Sequence, residues 1–231
     1  MKLPQPLLPG RLVRRYQRFL TDVELDDGRL VTAHTPNTGS MRQCAVPGHR
    51  VLVSPNSNPN RKLAYTLELI EVGGFWVDTH TQRSNRVVEE GLRGGVIPEL
   101  AGAAVRPEYS FGDSRIDFLL EWPERRLLLE VKNVTLLCEA ATACFPDAVT
   151  TRGQKHLRTL MAAVEQGWEA AVLFLVQRGE AQAFTPADAI DPEYGRLLRL
   201  AAANGVRPLA WQTHVSPEET VLARSLPVRL N

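Results

Sequence analysis

The fold of this chain is decided by two short apolar runs that both carry charges. They are Ser114-Arg115-Ile116-Asp117-Phe118-Leu119-Leu120 and Leu127-Leu128-Leu129-Glu130-Val131-Lys132-Asn133. The segment between them, Trp122-Pro123-Glu124-Arg125, predicts a turn, because proline presets the first bend of a tight turn. We therefore expect an antiparallel hairpin in the middle of a sheet.

The register of this hairpin determines which charges meet. If Glu121 faces Arg126, then Asp117 lies opposite Glu130. Side chains alternate along a strand, so Lys132 shares a face with Glu130. Directly opposed residues have Cβ atoms about 4.5–5.5 Å apart, and two carboxylates at that separation repel unless a cation lies between them.

Two interpretations of this charged cluster remain open on spacing alone. In the first, Asp117 and Glu130 hold Mg²⁺ (or Mn²⁺), which proteins bind through one or two carboxylates, and Lys132 orients the attacking water in phosphodiester cleavage. In the second, the three residues form a structural ion triplet near a sheet edge. Charged groups are almost never fully buried without partners, so the cluster needs an explanation in either case.

Charge is distributed unevenly along the 231 residues, although the net charge is only +1. Residues 1–62 carry a net charge of +6 and the remainder carries −5. This asymmetry predicts an electrostatic footprint for nucleic acid at the N-terminal end, rather than a uniformly basic protein. The 44% content of hydrophobic residues is ordinary for a globular protein.

Targeting signals and cysteine usage predict a cytoplasmic protein with no membrane partner. Residues 1–10 contain no apolar core long enough for a signal peptide, and no run approaches the length of a membrane span. Cys44, Cys138 and Cys144 show no metal-type spacing, so we predict three reduced thiols.

The first third of the chain predicts a small barrel. Residues 1–13 are proline-rich and are expected to be loosely ordered or packed as an extended arm. Short strands with turn signals and no helical period follow, as in an OB-fold or an SH3-like barrel, which strand count alone does not separate. The five predicted strands cover residues 19–25, 29–34, 50–54, 65–72 and 75–78.

Basic residues in this region are candidates for binding nucleic acid. A cluster of arginines surrounds Tyr16 and Phe19, which could be a solvated edge or a phosphate-binding strip with stacking surfaces. The basic candidates in the barrel are Arg14, Arg15, Arg18, Arg61 and Lys62.

The spacing of hydrophobic residues changes from a strand-like to a helix-like period after a boundary near residues 79–84. We therefore assign residues 1–82 and 83–231 to separate domains. The second part predicts an α/β (α+β) fold, a mixed sheet flanked by helices. A short helix over 85–92 ends at Gly94-Gly95, and the strand over 169–176, the helix opened by Asp191-Pro192 and the strand over 206–215 predict a right-handed parallel crossover. A loop is expected from residue 138 through Pro146.

One further helix is predicted after that loop. Thr151-Arg152-Gly153-Gln154 has the form of a capping box. Helix N-termini attract phosphate, so Arg152 and Lys155 in the first turns are additional candidates for binding nucleic acid. His156 is expected at the surface.

The run around Asp117 and Glu130-Val131-Lys132 resembles the core of the PD-(D/E)XK nuclease superfamily. Together with Pro36-Asn37-Thr38-Gly39-Ser40-Met41 and the run from Phe145 to Gly153, it is similar to one narrower family, the sugar fermentation stimulation protein A family of prokaryotes. The resemblance extends over about residues 15–217. It implies an N-terminal OB-like five-stranded β-barrel followed by a restriction-endonuclease-like mixed sheet.

The resemblance also implies functions and site residues. It implies a DNA-binding protein, non-specific in sequence, with a regulatory role in transcription and sugar (maltose) metabolism. The alternative is a Mg²⁺-dependent nuclease, and a carbohydrate-handling protein is a weaker third class. DNA is favoured over RNA, and the oligomeric state, including a homodimer, stays open. By the same resemblance, Glu89 and Gln154 are added as catalytic candidates, and Asn37, Thr38 and Ser40 as binding candidates.

Overall fold

The N-terminal part of the chain is a closed β-barrel of five strands. The computed structural model describes every residue except Thr38, Ser57, Pro59, Asn60 and Ala140. Pairing of the third strand with the fifth closes the ring. The closed five-stranded barrel confirms the OB-like prediction. Its strands are β1 (Leu8–Tyr16), β2 (Leu20–Leu25), β3 (Leu30–His34), β4 (Arg50–Pro55) and β5 (Tyr65–Val72).

The membership of the barrel differs from the prediction in two places. Residues 8–13, expected within the loosely ordered segment or arm of residues 1–13, belong to β1, which pairs with both β2 and β4. The fifth predicted strand is β6 (Phe75–Asp78), which pairs with β5 outside the ring. The pattern of β1 is hidden because its buried Leu12 is surrounded by exposed arginines and an exposed Val13.

The first residues of the chain pack as an extended segment against its last strands. The backbone N–H of Leu3 donates to the carbonyl of Glu218 at 2.9 Å, and the N–H of Thr220 donates to the carbonyl of Met1 at 3.0 Å. Of the two alternatives for this segment, packing as an arm is the one observed for residues 1–3.

The rest of the chain forms a six-stranded mixed sheet with helices on both faces, as predicted. The sheet has the order β15-β14-β12-β9-β8-β7. A second, three-stranded sheet has the order β10-β11-β13. The elements are α1 (Thr81–Arg93), β7 (Ala104–Phe111), β8 (Ser114–Trp122), β9 (Arg125–Val134), β10 (Leu136–Glu139), β11 (Thr142–Phe145), α2 (Thr151–Glu165), β12 (Glu169–Val176), β13 (Ala183–Pro186), α3 (Pro192–Ala203), β14 (Val206–Val215) and β15 (Thr220–Leu226).

Two apolar layers hold the helices against the large sheet. On one face, Val88 and Leu92 of α1 pack with the sheet residues Leu127 and Leu129. On the other face α2 and α3 cover the sheet through a cluster of fully buried side chains that includes Leu160. Burial of apolar surface contributes roughly 25 cal/mol per Å² to the free energy of folding. The two apolar layers therefore hold α1 and α2 against opposite faces of β9.

The strand pairings confirm the predicted register and the parallel crossover. Glu121 pairs with Arg126 across the β8–β9 hairpin, and the ladder continues to Phe118 opposite Leu129. The β12 strand runs parallel to both β9 and β14.

The prediction for the segment after β9 is wrong in two respects. A hairpin, β10–β11, replaces the expected loop, and Cys138 and Cys144 form a disulfide instead of two reduced thiols. Cys44 is a free thiol as predicted, and burial raises its pKa to about 11. The sequence contains no local signal for the disulfide, since the six-residue separation becomes a pair only when the hairpin forms.

Within the described residues, no helix is long and apolar enough to cross a lipid bilayer.

Candidate metal centre and nucleic-acid interface

The candidate metal centre lies where β8 and β9 separate. The β8–β9 ladder ends at Phe118 and Leu129, and Asp117 and Glu130 are the next residues on the two strands, beyond the last ladder pair. Hydrogen bonds of 2.7 Å from the Val131 N–H and from Asn85 Nδ2 reach the two oxygens of the Asp117 carboxylate. The side chain of Asp117 therefore takes the place of the next ladder bond and is oriented by α1.

The Glu130 carboxylate is buried and held through one oxygen. Its Oε1 accepts a 2.6 Å hydrogen bond from Lys132 Nζ and a close contact from His156 Nδ1. Its Oε2 is fully buried and has no hydrogen-bond partner among the residues that the structure describes. A buried carboxylate oxygen without a partner is costly, and it is the kind of atom that a cation satisfies.

The electrostatics of the two carboxylates differ. Burial, followed by the neighbouring charge of Glu130, raises the pKa of Asp117 to about 6. Burial also opposes ionisation of Glu130, but Lys132 and His156 together outweigh it and hold the pKa of this carboxyl below its ordinary value. Glu130 is thus stabilised as an anion, whereas at Asp117 burial and the charge of Glu130 outweigh the opposing charge of Lys132.

These residues fit a hard divalent cation such as Mg²⁺ or Mn²⁺. Two carboxylates with space for water and phosphate are the usual protein contribution to a Mg²⁺ site. In the described part of the chain, no three His, Cys, Asp or Glu side chains are grouped as a metal cluster, so the protein would supply two carboxylates, and water or phosphate the remaining ligands. The unpaired Glu130 Oε2 is the atom on which this fit rests.

A polar cleft of about 240 Å³ opens beside the centre. It lies between the barrel loop at Asn37 and Gly39, the first turns of α1 at Asn85, and β9 at Lys132. The described residues that line the cleft include Asn85 and Lys132, which contact Asp117 and Glu130, but neither of these carboxylates.

Family models and relatives agree on what this chain is similar to. The model described as "Sugar fermentation stimulation protein RE domain" matches residues 82–219, and "SfsA N-terminal OB domain" matches residues 13–78. A sugar fermentation stimulation protein homolog of Syntrophotalea carbinolica is 70% identical over 231 residues, which is 100% of both chains. The chain belongs to the sugar fermentation stimulation protein family.

Further relatives extend the comparison to solved structures. A homolog of Geobacter metallireducens is 55% identical over 233 residues and 100% of both chains. The structure of SfsA of Pyrococcus furiosus, in complex with Ca²⁺, matches with a TM-score of 0.89 and 29% identity over 99% of each chain. The match in fold extends over both the barrel and the nuclease-like part.

In this family member, the two catalytic candidates on helices contact other groups. Glu89 forms an ion pair of 2.8 Å with Arg93 on the same helix, one turn beyond Asn85. Gln154 Nε2 donates to Asp191 at 3.0 and 3.1 Å, at the start of α3, so the prediction that it reaches the centre is not supported. Asn85 is the α1 residue that contacts a carboxylate of the centre.

His156 is a correction to the prediction of a surface side chain. It is only 5% exposed and contacts both Glu130 and, at 3.4 Å, Lys132 Nζ. The cap of α2 is Thr150, one residue earlier than predicted, and its side chain accepts from the Gly153 N–H at 3.1 Å. The spacing of His156 from Gly153 and Leu160, both buried on the inner face of α2, was the available signal.

Several predicted binding residues in the barrel have structural contacts instead. Arg15 donates to the carbonyls of Asn37 and Gly39 at 2.8 and 3.0 Å, and Asn37 bonds the Thr79 carbonyl at 2.9 Å. Ser40 Oγ donates to Asp147 Oδ2 at 2.9 Å. These side chains brace a loop, so their role as nucleic-acid contacts is not supported, and Thr38 lies outside the described residues.

The remaining basic candidates lie at the surface. Arg14 is exposed and paired with Asp22 at 2.7 Å, and Lys155 is paired with Asp113 at 3.0 Å. Arg152 lies near His156, with 3.5 Å between Nε and Nε2. The other exposed candidates in the barrel are Arg18, Arg61 and Lys62.

Proposed function

We propose that this protein binds nucleic acid, DNA in preference to RNA, and hydrolyses its phosphodiester bonds at a divalent-metal centre formed by Asp117 and Glu130. The observation that carries the proposal is the arrangement of Glu130. One oxygen is held by Lys132 and His156, and the other is buried and unpaired on the strand adjacent to that of Asp117. The Ca²⁺ complex of the Pyrococcus furiosus relative supports a divalent cation in this family.

The residues of the centre have separable roles in this proposal. A cation bound there would polarise the phosphodiester and make a water molecule easier to deprotonate. Asn85 and the Val131 N–H hold the carboxylate of Asp117, and His156 holds that of Glu130. The Lys132 ammonium group, beside Glu130 and at the cleft, donates a hydrogen bond to the attacking water or to a phosphate oxygen as negative charge develops.

Metal binding is testable without activity. We expect Mn²⁺ titrated into the wild-type protein to release or absorb heat with a defined stoichiometry, and Glu130→Gln and Asp117→Asn to weaken the binding at least about tenfold, because each removes an anionic ligand. Isothermal titration calorimetry measures this. Glu124→Gln, an exposed carboxylate at the other end of the same hairpin, is the matched control and should bind like wild type. Equal heats in all four proteins would contradict the assignment.

Cleavage tests the reaction itself. Supercoiled plasmid and labelled single-stranded, duplex and branched DNA, with an RNA of the same sequence, are incubated with Mg²⁺ or Mn²⁺. Wild type and Glu124→Gln should cut the DNA. In Asp117→Asn and Lys132→Ala the cleavage rate should fall by about a hundredfold or more, because each substitution removes a group that stabilises developing charge. If both variants still cut DNA, the cleavage activity would belong to another site or to a contaminant.

Binding without cleavage is the second candidate, as expected for a regulator of sugar metabolism. It is favoured by the exposed cations Arg18, Arg61 and Lys62, which lie on the barrel and not in the metal centre. Retarded but uncut DNA, with metal bound and all substrates tried, would support this candidate.

A further inference from the structure

The turn between β1 and β2 presents an aromatic ring to solvent. Tyr16 pairs with Leu20 at the end of the hairpin, and Gln17 and Arg18 both have positive φ, at 49° and 66°. Two successive positive φ values are the backbone of a tight hairpin turn, and here both fall on non-glycine residues, where this conformation is uncommon. The turn leaves Phe19 45% exposed.

Phe19 is uncovered, unlike other exposed aromatic rings of the barrel. The ring of Tyr16 lies under the Arg14 guanidinium at 4.9 Å. Phe75 is 42% exposed, but its ring packs on Gly179 so closely that a Cβ there would lie 2.4 Å from it. Phe19 makes no ring stacking or cation–π contact within the described residues.

The ring of Phe19 forms one wall of a mainly apolar groove of about 340 Å³. Two cations lie at this groove, and none of the described residues that line it is a carboxylate. Arg61 approaches the His34 ring, with 3.4 Å between its Nη2 and Nδ1, and partial burial followed by the charge of Arg61 lowers the pKa of His34. The groove is lined by Phe19, Leu20, His34, Arg61, Lys62 and Leu63.

A basic pocket lies on the other side of the same turn. It has a volume of about 420 Å³ and includes Tyr16, Arg18 and Arg42 among its walls, and its lining in the described part of the chain contains no carboxylate. An apolar groove with an uncovered ring is thus placed between two groups of cations. This pattern complements a polyanion that carries flat apolar groups, and carbohydrate hydroxyls would find no carboxylate acceptor there.

We propose that the Phe19 groove binds an unpaired nucleobase, and that the substrate class of this protein is single-stranded or branched nucleic acid rather than closed duplex. The inference rests on the proposed function, because it assumes that the protein binds nucleic acid. The base stacks on Phe19, and the flanking phosphates contact Arg18 on one side and Arg61 or Lys62 on the other. A closed duplex keeps its bases stacked inside and has none to insert, so it binds through its phosphates alone.

The test compares single-stranded and duplex DNA by fluorescence anisotropy. Labelled oligo(dT) and a blunt duplex of the same length are titrated with protein in EDTA, so that cleavage has no influence. We expect Phe19→Ala to weaken oligo(dT) binding about tenfold and duplex binding less than about twofold, with an unchanged salt slope, since stacking and not phosphate contact is lost. Arg18→Gln should reduce the salt slope on both substrates by about one.

Two further variants make the test specific. Phe75→Ala removes an equally exposed ring of the barrel and should bind both substrates like wild type, and Phe19→Trp should restore oligo(dT) binding with quenching of indole fluorescence. The inference would be overturned if Phe19→Ala bound oligo(dT) as tightly as wild type, or if it lost the same affinity for oligo(dT) and for the duplex. It would also be overturned if the variant lost affinity for a maltooligosaccharide instead of oligo(dT). Each of these outcomes would leave nucleic-acid binding by the protein intact. If wild type binds neither substrate, the proposed function itself fails.

Discussion

Single residues show how buried carboxylates are paired with cationic groups in this protein. Glu130 contacts Lys132 and His156, and Glu68 and Asp78 both contact the buried Arg83. Such groups are tolerated in an interior only when each charge has partners, and removing one partner leaves an uncompensated charge. By the same rule, the buried oxygen of Glu130 that has no partner among the described residues supports the proposed cation site beside Asp117.

His80 gives a pH-dependent prediction at this scale. Burial, followed by the charge of Arg83, lowers its pKa from 6.5 to about 4. The neutral ring therefore contributes stability that is fully present above the unfolded pKa and is lost as pH falls through the folded value. We expect wild type to lose about 1–2 kcal/mol more than His80→Asn between about pH 7 and about pH 4.5, after allowing for partial exposure.

Urea denaturation at the two pH values measures this difference. Asparagine is also a favourable residue at the N-cap of α1, which His80 occupies, so the variant should fold. His214→Asn, at an exposed position of β14, should behave like wild type. Parallel pH dependence in wild type and His80→Asn would contradict the prediction.

Two helices deliver side chains to the metal centre, Asn85 from α1 and His156 from α2. The start of α2 is fixed by Thr150 and by Asp191, which accepts from the Thr150 N–H at 2.9 Å. A Cβ on Gly153 would lie 2.8 Å from the Thr150 side chain and 3.1 Å from the Tyr194 ring. The first turn therefore packs tightly enough to place His156 over Glu130.

The capping assignment predicts different effects at two neighbouring threonines. Thr150→Ala should lower the free energy of unfolding by about 1 kcal/mol, because it removes the acceptor for the Gly153 N–H. Thr150→Ser should retain most of the stability, and Thr151→Ala, one residue later and exposed, should change little. Urea denaturation of the three variants shows which threonine caps the helix. A larger loss of unfolding free energy in Thr151→Ala than in Thr150→Ala would support the capping box that the sequence predicts.

Across the whole molecule, the barrel and the nuclease-like part are joined at Asp147. Its Oδ2 accepts hydrogen bonds from the Ser40 N–H at 2.8 Å, Ser40 Oγ at 2.9 Å and the Met41 N–H at 3.2 Å. The two sequence runs that carry the family resemblance, 36–41 and 145–153, therefore meet in space. A side chain at Gly39 would collide with this contact, since a Cβ would lie 3.0 Å from Asp147 Oδ2.

Removing this contact should loosen the link between the two parts. We expect Asp147→Ala to destabilise the protein by about 1.5–3 kcal/mol, the range for hydrogen bonds to a charged group, and to increase cleavage by protease within residues 36–41. Ser40→Ala should have a smaller effect, because the two backbone donors remain. Asp113→Ala, at an exposed aspartate of the β7–β8 turn, is the control. If Asp147→Ala unfolds at the same temperature as wild type and is cleaved by protease at the same rate, other contacts are sufficient to join the barrel and the nuclease-like part.

The local pattern of hydrophobic and polar residues was sufficient to predict much of the fold. The β8–β9 register, the stripe of α2 and the cap of α3 all follow from residues within one turn or one hairpin of each other. β1 could not be predicted in this way, because its few buried residues are masked by arginines and its partners are distant strands.

Alternation along a hairpin is a local property, so the sequence alone was enough to predict that Asp117, Glu130 and Lys132 lie close together. The family followed from the resemblance of whole sequence runs and was confirmed by the relatives. By contrast, the inward turn of His156 to Glu130, 26 residues away, and the bracing of a loop by Arg15 and Ser40 depend on contacts between distant parts of the chain. A polar side chain takes whichever partner packing brings near, and partners such as Asp147, 107 residues from Ser40, are set by the whole fold.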